Sequence, residues 1–223
     1  MNSKKVAGQV LQFVLGLAIL LAGWGFDDLS GFFAHLARAG FVAVVLATMV
    51  WIFAWRLDLQ PFRRGQVPVG WQRVGLVLLM VTALSLIFFL AYADRRSLLT
   101  FAGAEFLRYL GLGLYAGGNV ISLYALRALG KQYSGYVTLQ NDHQLVDTGI
   151  YAVIRHPIYL RALMVFVGLP LLFRSWLVLP VLPLGAWFVS YRIRREEKLL
   201  AETFGEQYRA YSGRTRRLLP YLY

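Results

Sequence analysis

Two polar clusters interrupt an otherwise strongly apolar sequence, and they hold the side chains best suited to chemistry. The first occupies residues 143–161 and brings histidine, arginine and tyrosine side chains together around Pro157. Proline suits the first turn of a helix, and a helix N-terminus offers free N–H groups and partial positive charge to an anion. The second cluster occupies residues 192–198 and contains the adjacent carboxylates Glu196 and Glu197. We expect the chain to fold back so that the two clusters meet.

A ligand that carries a carboxylate, an ammonium, a sulfonium and an adenine would engage both clusters at once. Arg155 and the helix start suit the carboxylate. The two glutamates suit the ammonium or the ribose, while the aromatic faces of Tyr151 and Tyr159 attract a positive sulfonium. S-adenosylmethionine has all of these groups, so the residues permit this cofactor without requiring it. An ordinary interfacial helix start beside a solvated charged face would explain the same residues without any ligand.

Other site chemistries fit the sequence poorly. The three histidines lack metal-ligand spacing and no cysteine is present, so we expect no metal. The run Gly111–Ala116 matches a dinucleotide-binding fingerprint, but it lies in an apolar stretch with no preceding strand, so the phosphate-binding turn cannot form. Gly113 and Gly117 instead have the spacing of a close helix-packing pair. The net charge of +12 does not indicate nucleic acid, because no basic groove with interleaved aromatics lies outside the apolar blocks.

The elements that must position the two clusters are predicted to be membrane helices. Of 223 residues 58% are hydrophobic and only 15% are charged, where a soluble domain has about a quarter charged residues. The apolar residues come in blocks, most of them near the length that crosses about 30 Å of hydrocarbon as a helix. The predicted spans are Val6–Trp24, Ala39–Trp55, Val74–Ala93, Phe106–Leu126, Tyr159–Phe173 and Trp176–Tyr191.

The last two predicted spans are shorter than the others and contain prolines. A helical hairpin is the natural interpretation, although one tilted and broken span also fits. After them, Arg192–Tyr211 is predicted to be an amphipathic helix, because Leu200, Phe204 and Tyr208 recur on one face between charged residues. Gly205 is expected to break this helix. The fold class is therefore all-α, a polytopic integral membrane helical bundle of five to six spans with a C-terminal cytoplasmic amphipathic helix.

The distribution of lysine and arginine predicts the orientation. With the N-terminus inside and six crossings, 17 basic residues lie in cytoplasmic regions, whereas Arg95, Arg96 and Arg174 lie in outside loops. The positive-inside rule therefore places both polar clusters at the cytoplasmic face of a membrane, which we take to be a bacterial inner membrane.

The motifs resemble the isoprenylcysteine carboxyl methyltransferase family, which is related to the phospholipid N-methyltransferases. The resemblance covers about Leu129 to the C-terminus, whereas the N-terminal spans match only in kind. It rests on Leu145-Val-x-x-Gly-x-Tyr-x-x-x-Arg-His-Pro-x-Tyr159, on Arg192-x-x-x-Glu-Glu-x-x-Leu-x-x-x-Phe-Gly-x-x-Tyr-x-x-Tyr211 and on Arg217-x-x-Pro220.

The resemblance implies an all-helical integral membrane enzyme that binds S-adenosylmethionine at the cytoplasmic side and takes a lipophilic acceptor from the bilayer. It implies one membrane methyltransferase domain, 1–223, with scaffold spans in 1–126 and a cofactor-binding catalytic region in 127–223. The helix-start argument assigns Arg155 to the cofactor. The resemblance implies that the cofactor-binding residues are His143, Leu145, Val146, Gly149, Tyr151, His156, Pro157, Tyr159, Glu196 and Glu197.

One residue departs from the family pattern. The family usually has glycine two residues after the motif tyrosine, and this chain has Arg161. Arg161 either narrows the pocket or reaches toward an acidic acceptor or a lipid phosphate. Arg161 and Arg127 are our candidates for orienting an acidic acceptor, with ordinary interface anchoring an equally good explanation. His143 is the candidate base if the acceptor is a thiol or an amine. The acceptor class itself stays open among a prenylcysteine-type carboxylate, a lipid amine, a thiol and an isoprenoid hydroxyl.

Two other functions also fit. Sterol reductases resemble the same region around His156 and the tail that begins at Arg217, but they are usually much longer than 223 residues. An NAD(P)H-dependent membrane reductase is therefore the second candidate. A non-catalytic membrane scaffold, with Arg161 blocking the pocket, is the third.

Overall fold

The computed structural model describes residues 3–57, 70–103, 105–133 and 144–219. Within these ranges the chain forms seven α-helices and three short 3-10 turns, and β-pairing is limited to two isolated bridges. The helices are α1 Ser3–Trp24, α2 Leu29–Phe33, α3 Leu36–Ala54, α4 Gly70–Arg95, α5 Glu105–Leu129, α6 Pro157–Leu172 and α7 Val178–Arg214.

Helices occupy the residues of the four predicted N-terminal spans, namely α1, α3, α4 and α5. By length and composition, α1, α3 and α4 are able to cross a membrane, and α6 is a shorter apolar helix. Six large apolar side chains of α4 are exposed, among them Val77, Leu78 and Val81, as expected for a helix that faces lipid. The prediction of an all-helical membrane protein is therefore confirmed.

The predicted hairpin after Tyr159 is also found, since α6 and α7 are separate helices that pack together. Val189 and Ile193 of α7 are buried against the face of α6 that includes Leu163 and Phe166. Gly185 lets α7 approach closely, because an added Cβ there would lie 2.3 Å from the Phe166 ring. The prolines do not break these helices: Pro170 lies inside α6 and Pro183 inside α7.

One predicted boundary is not found. We expected the last span to end at Tyr191 and a separate amphipathic helix to begin at Arg192, but α7 runs through both residues without interruption. No glycine or proline stands between Gly185 and Gly205, so nothing in this stretch ends the helix. The break comes at Gly205, as predicted, where the backbone is non-helical with φ 49° and ψ −119°.

Helices α5 and α6 approach each other closely at a pair of glycines. An added Cβ at Gly111 would lie 2.5 Å from the carbonyl oxygen of Gly168, and one at Gly168 would lie 2.8 Å from that of Gly111. The backbones therefore touch at this crossing, which only glycine permits. The prediction that Gly113 packs against another helix is wrong, because no atom of the described residues lies within 4 Å of an added Cβ there. Gly117, by contrast, does face Met164.

The long helices alternate in direction along the chain, so their ends gather at two opposite sides of the bundle. At one side the starts of α3 and α5 meet the ends of α4 and α6 around the buried carboxylate of Asp94. This group, called the Asp94 cluster below, consists of Asp94, Arg38, Arg108 and Arg174. The polar residues at the other side lie past the end of α5. The length of α5, at 1.5 Å rise per residue, puts them about 30 Å from the Asp94 cluster.

Candidate functional site

The loop before α6 is built around Gly149. This residue has φ 60°, a left-handed conformation that favours glycine. It starts a 3-10 turn, Gly149–Ala152, whose third residue, Tyr151, is buried. The Tyr211 hydroxyl donates a hydrogen bond to the carbonyl oxygen of Tyr151 at 2.9 Å. The turn is thus fixed to the last part of α7.

The start of α6 has the predicted form, with His156 as the N-cap and Pro157 as the first helical residue. Its neighbourhood is less open than predicted. The backbone N–H groups of Arg155 and His156 donate to the carbonyl oxygens of Arg216 and Arg217 at 2.7 and 3.0 Å. Residues 212–218, called the C-terminal segment below, therefore cover part of the helix start that the sequence had assigned to a ligand carboxylate.

Arg155 is also held within the protein. Its Nη1 donates to the carbonyl oxygens of Ser212 and Thr215 at 2.7 and 2.6 Å, and its Nε donates to Glu197 at 3.2 Å. The guanidinium joins the loop before α6 to the C-terminal segment and to α7. This geometry favours a structural role for Arg155 over the predicted contact with the cofactor.

Glu197 is the centre of this network. Its Oε1 lies 3.2 Å from both Arg155 Nε and His156 Nε2, and its Oε2 accepts from Arg217 Nη2 at 2.8 Å. Burial on its own would raise the pKa of Glu197, but hydrogen bonds from His156 and Arg217 outweigh burial and lower the pKa to about 2. Glu197 is therefore a carboxylate that stays ionised and already has three partners, two of them arginines.

Glu196 has different surroundings from its neighbour. The Tyr159 hydroxyl is within hydrogen-bonding reach of the Glu196 carboxylate and of Arg192, one turn earlier on α7. Glu196 also acts electrostatically on Tyr151, whose pKa is raised well above its ordinary value by burial and by this nearby carboxylate. The Tyr151 hydroxyl therefore stays protonated. Two tyrosines and one carboxylate share this face of the site.

The two clusters that were predicted to meet do meet. His156 and Glu197 are 41 residues apart in sequence, and their side chains are in contact. Sequence reasoning did not assign roles to Tyr211, Thr215 and Arg217, which complete the network. The only sequence signal for them was the motif spacing at the C-terminal end, because hydrogen bonds to backbone carbonyls leave no pattern in the sequence.

The remaining predicted residues are placed as follows. Arg127 is exposed and its guanidinium lies 4.6 Å from the centre of the Trp55 ring, on α5 but away from the Glu197 network. Leu145 and Val146 are half-buried in the loop before α6. His143 lies outside the described residues.

Arg161 lies on α6 against the glycine-rich face of α5. An added Cβ at Gly118 would meet the Arg161 side chain at 3.5 Å, so the aliphatic part of Arg161 packs on this face. Its guanidinium is close enough to act electrostatically on the hydroxyls of Tyr115 and Tyr133. In the part of the chain that the structure describes, Arg161 is half-buried and makes no ion pair.

Comparisons of sequence match the region that holds this site. The phospholipid methyltransferase family profile matches residues 106–207. A probable protein-S-isoprenylcysteine O-methyltransferase of Oryza sativa subsp. indica is 30% identical over 120 residues, which are 52% of this chain and 63% of that protein. Protein-S-isoprenylcysteine O-methyltransferase of Saccharomyces cerevisiae is 34% identical over 116 residues, 51% of this chain and 48% of that protein. The chain thus spans less than two thirds of the curated relatives it matches.

Comparison of structures covers nearly the whole chain. The solved structure of the eukaryotic intramembrane Ras methyltransferase ICMT (isoprenylcysteine carboxyl methyltransferase), without a monobody, superposes with a TM-score of 0.57 over 97% of this chain and 75% of that one. Sequence identity is 22%, so this comparison concerns the fold. This integral membrane protein is therefore similar in sequence to phospholipid methyltransferases and protein-S-isoprenylcysteine O-methyltransferases over about half of the chain, and similar in fold to the solved isoprenylcysteine carboxyl methyltransferase.

Proposed function

We propose that this protein is an S-adenosylmethionine-dependent membrane methyltransferase that acts on a lipophilic acceptor. The observation that carries the proposal is the meeting of the loop before α6 with Glu196 and Glu197 of α7 at one end of a membrane bundle. The methyltransferase names of the curated relatives support the same reaction class.

The residues present fit the cofactor on chemical grounds. S-adenosylmethionine supplies a methyl group on a sulfonium, whose transfer is an in-line displacement that requires neither a metal nor an enzyme nucleophile. The positive ammonium and sulfonium suit a face made of Glu196, Tyr151 and Tyr159. The protein's contribution is to hold and align the reactants, which lowers the barrier by roughly 7–11 kcal/mol in well-oriented cases.

Within this site we assign the ammonium or ribose contact to Glu196. Glu197 was an equal candidate by sequence, but its oxygens are already paired with Arg155, His156 and Arg217. We assign Glu197 to supporting the site and keep the aromatic contacts with Tyr151 and Tyr159. Gly149, His156 and Pro157 shape the loop and the helix start, and Leu145, Val146 and His143 complete the proposed pocket.

The acceptor side of the proposed site is defined by Arg161. A half-buried guanidinium without an ion pair among the described residues suits an anionic group, because burying an unpaired charge is unfavourable. Of the acceptors considered, the prenylcysteine-type carboxylate fits this charge, and the names of the relatives point the same way. Arg127 stays a weaker candidate, since its contact with Trp55 is typical of an interface anchor.

We also propose a topology for the whole chain. The alternating directions of successive helices support six membrane crossings, made by α1, α3, α4, α5, α6 and the first part of α7. The excess of basic residues then puts the site on the cytoplasmic side. Residues 1–126 would serve as scaffold and 127–223 as the catalytic region of one domain.

A thermal-shift comparison on the purified protein in detergent tests the cofactor. We expect S-adenosylmethionine and S-adenosylhomocysteine to raise the unfolding temperature, because a ligand that binds only the folded state stabilises it. NADPH should have no effect, and stabilisation by NADPH alone would favour the reductase. Labelled methyl transfer into extracted lipid and protein fractions then identifies the acceptor class. Failure of both adenosyl ligands to bind would end the proposal.

A further inference from the structure

We propose that Tyr208 is a ligand-binding residue whose hydroxyl bonds to the amino-acid end of the molecule held by Glu196. The inference rests on the proposed function and extends it to a residue that neither the helix-start argument nor the family resemblance assigned to the cofactor. It starts from a buried polar atom that has no hydrogen-bond partner among the residues described by the structure.

Tyr208 is 5% exposed, and in the described parts of the chain its hydroxyl oxygen has no hydrogen-bond partner. Buried hydroxyl groups are nearly always paired with protein or ordered water, so each exception needs a reason. A binding site is one such reason, because the missing partner arrives with the ligand.

The neighbouring tyrosine shows that this region of α7 is able to satisfy a buried hydroxyl. Tyr211 lies one helical turn further on, is also buried, and donates to the carbonyl oxygen of Tyr151 at 2.9 Å. The two rings are 6.1 Å apart. Both turn inward after the break at Gly205, yet only Tyr211 finds a partner in the protein.

The charged side chains of the site lie near enough to Tyr208 to affect its hydroxyl. Glu197, Arg155 and Glu196 all act on it electrostatically. Burial, followed by the two carboxylates, raises the pKa of Tyr208, so the hydroxyl stays protonated at neutral pH and is able both to donate and to accept. Glu197 and Arg155 are engaged with other partners. We therefore expect Tyr208 and Glu196 to contact the same group of the ligand. The ammonium assigned to Glu196 has several N–H donors, so it is able to donate to the Tyr208 hydroxyl as well.

The test is the substitution Tyr208→Phe in the full chain, with the Kd for S-adenosylhomocysteine measured by calorimetry and the unfolding temperature measured without ligand. Removal of an unsatisfied hydroxyl should leave the ligand-free unfolding temperature unchanged or higher. Loss of a hydrogen bond to the ligand should weaken binding by about two- to tenfold. The loss should be smaller for 5′-methylthioadenosine, which lacks the amino-acid end.

Tyr211→Phe is the matched control, because it removes a hydroxyl that the structure shows to be bonded, and it should lower the ligand-free unfolding temperature. An unchanged Kd for Tyr208→Phe would mean that water alone satisfies the hydroxyl, and it would overturn the proposal. A fall in the ligand-free unfolding temperature, or an equal loss for both ligands, would overturn it as well. If the unsubstituted protein binds neither adenosyl ligand, the methyltransferase proposal itself fails, and that measurement is separate from the variant.

Discussion

Glu196 and Glu197 show how two adjacent and identical side chains acquire different tasks. Glu197 contacts Arg155, His156 and Arg217, whereas Glu196 acts on the hydroxyl of Tyr159. A carboxylate paired with two arginines and a histidine contributes to stability, and one that lies near tyrosine hydroxyls is available to a cation. Sequence reasoning gave both residues the same role because helical periodicity does not reveal which partner each one meets.

The two glutamates therefore form a matched pair for mutation. Glu197→Gln leaves buried cations without their counter-charge, which typically costs about 3–5 kcal/mol, so the unfolding temperature should fall clearly. Glu196→Gln should leave the unfolding temperature nearly unchanged and weaken the binding of S-adenosylmethionine. Thermal unfolding and calorimetry on both variants give the comparison. Equal losses of stability would contradict the distinction.

Acid should unfold the protein partly through Glu197. Its pKa falls from an ordinary 4.5 to about 2 in the folded state. The stabilisation is complete above pH 4.5 and is lost as the pH falls from 4.5 through about 2, because the unfolded chain binds a proton that the folded chain does not. The full effect is about 3 kcal/mol. Unfolding midpoints at several pH values should therefore fall more steeply for the unsubstituted protein than for Glu197→Gln.

Arg161 separates an acceptor-binding site from a blocked one. Arg161→Gln should reduce methyl transfer to an acidic acceptor at least tenfold, mainly through KM, because the anion loses its counter-charge. Arg127→Gln should have little effect, since that side chain lies on Trp55. Steady-state kinetics with an acidic lipophilic acceptor provide the measurement. If Arg161→Gly instead tightens cofactor binding and no transfer is found for the unsubstituted protein, a scaffold would be the better interpretation.

At the scale of the elements, the pair α5 and α6 determines where the site lies. The backbones touch at Gly111 and Gly168, and this contact sets the position of the α6 start relative to the end of α5. The sequence predicted both helices and the hairpin that follows. It did not predict which glycines meet, because every glycine in an apolar helix gives the same signal until its face is known.

The glycines supply a sharp comparison of variants. Gly111→Ala would place its Cβ 2.5 Å from backbone atoms of Gly168 and Leu172, so the helices must separate. We expect a loss of about 1–3 kcal/mol or more and a lower unfolding temperature. Gly113→Ala adds the same atom where nothing lies within 4 Å and should be neutral. Similar effects of both substitutions in thermal unfolding would refute this packing.

At the scale of the whole molecule, two ion clusters lie at opposite ends of the bundle. The Asp94 cluster joins α4, which carries Asp94, to α3, α5 and the segment after α6. Both oxygens of Asp94 accept hydrogen bonds from arginines of these three parts. The sequence placed Asp94 and Arg174 in loops and gave no role to Arg38 or Arg108. Pairs separated by 14 to 80 residues carry no local signature, so this cluster could not be predicted.

Asp94→Asn should destabilise the bundle as a whole. Three buried or partly buried arginines would lose their shared carboxylate, a loss of about 3–5 kcal/mol. Asp27→Asn is the control at the same end of the molecule, because Asp27 pairs with Arg95 in an exposed position and should matter little. Unfolding temperatures in detergent would show the difference. A neutral Asp94→Asn variant would mean that the cluster does not hold the helices together.

Local signals accounted for much of the fold and for the outline of the site. Pro157 predicted a helix start, Gly205 a break, and the apolar blocks predicted the membrane helices. The continuity of α7 through Arg192 was missed because a change from apolar to charged composition was taken for a boundary. The partners of Arg155 were missed because they are backbone carbonyls of the C-terminal segment.

The carbonyl groups of Arg216 and Arg217 that cap the start of α6 have a consequence for biosynthesis. A ribosome-bound chain that has already inserted every apolar helix still lacks the groups that fix Arg155 and His156. The pocket therefore forms only after residue 217 has left the exit tunnel. If the proposed adenosyl ligand depends on this loop, the helices before residue 217 must assemble without help from that ligand.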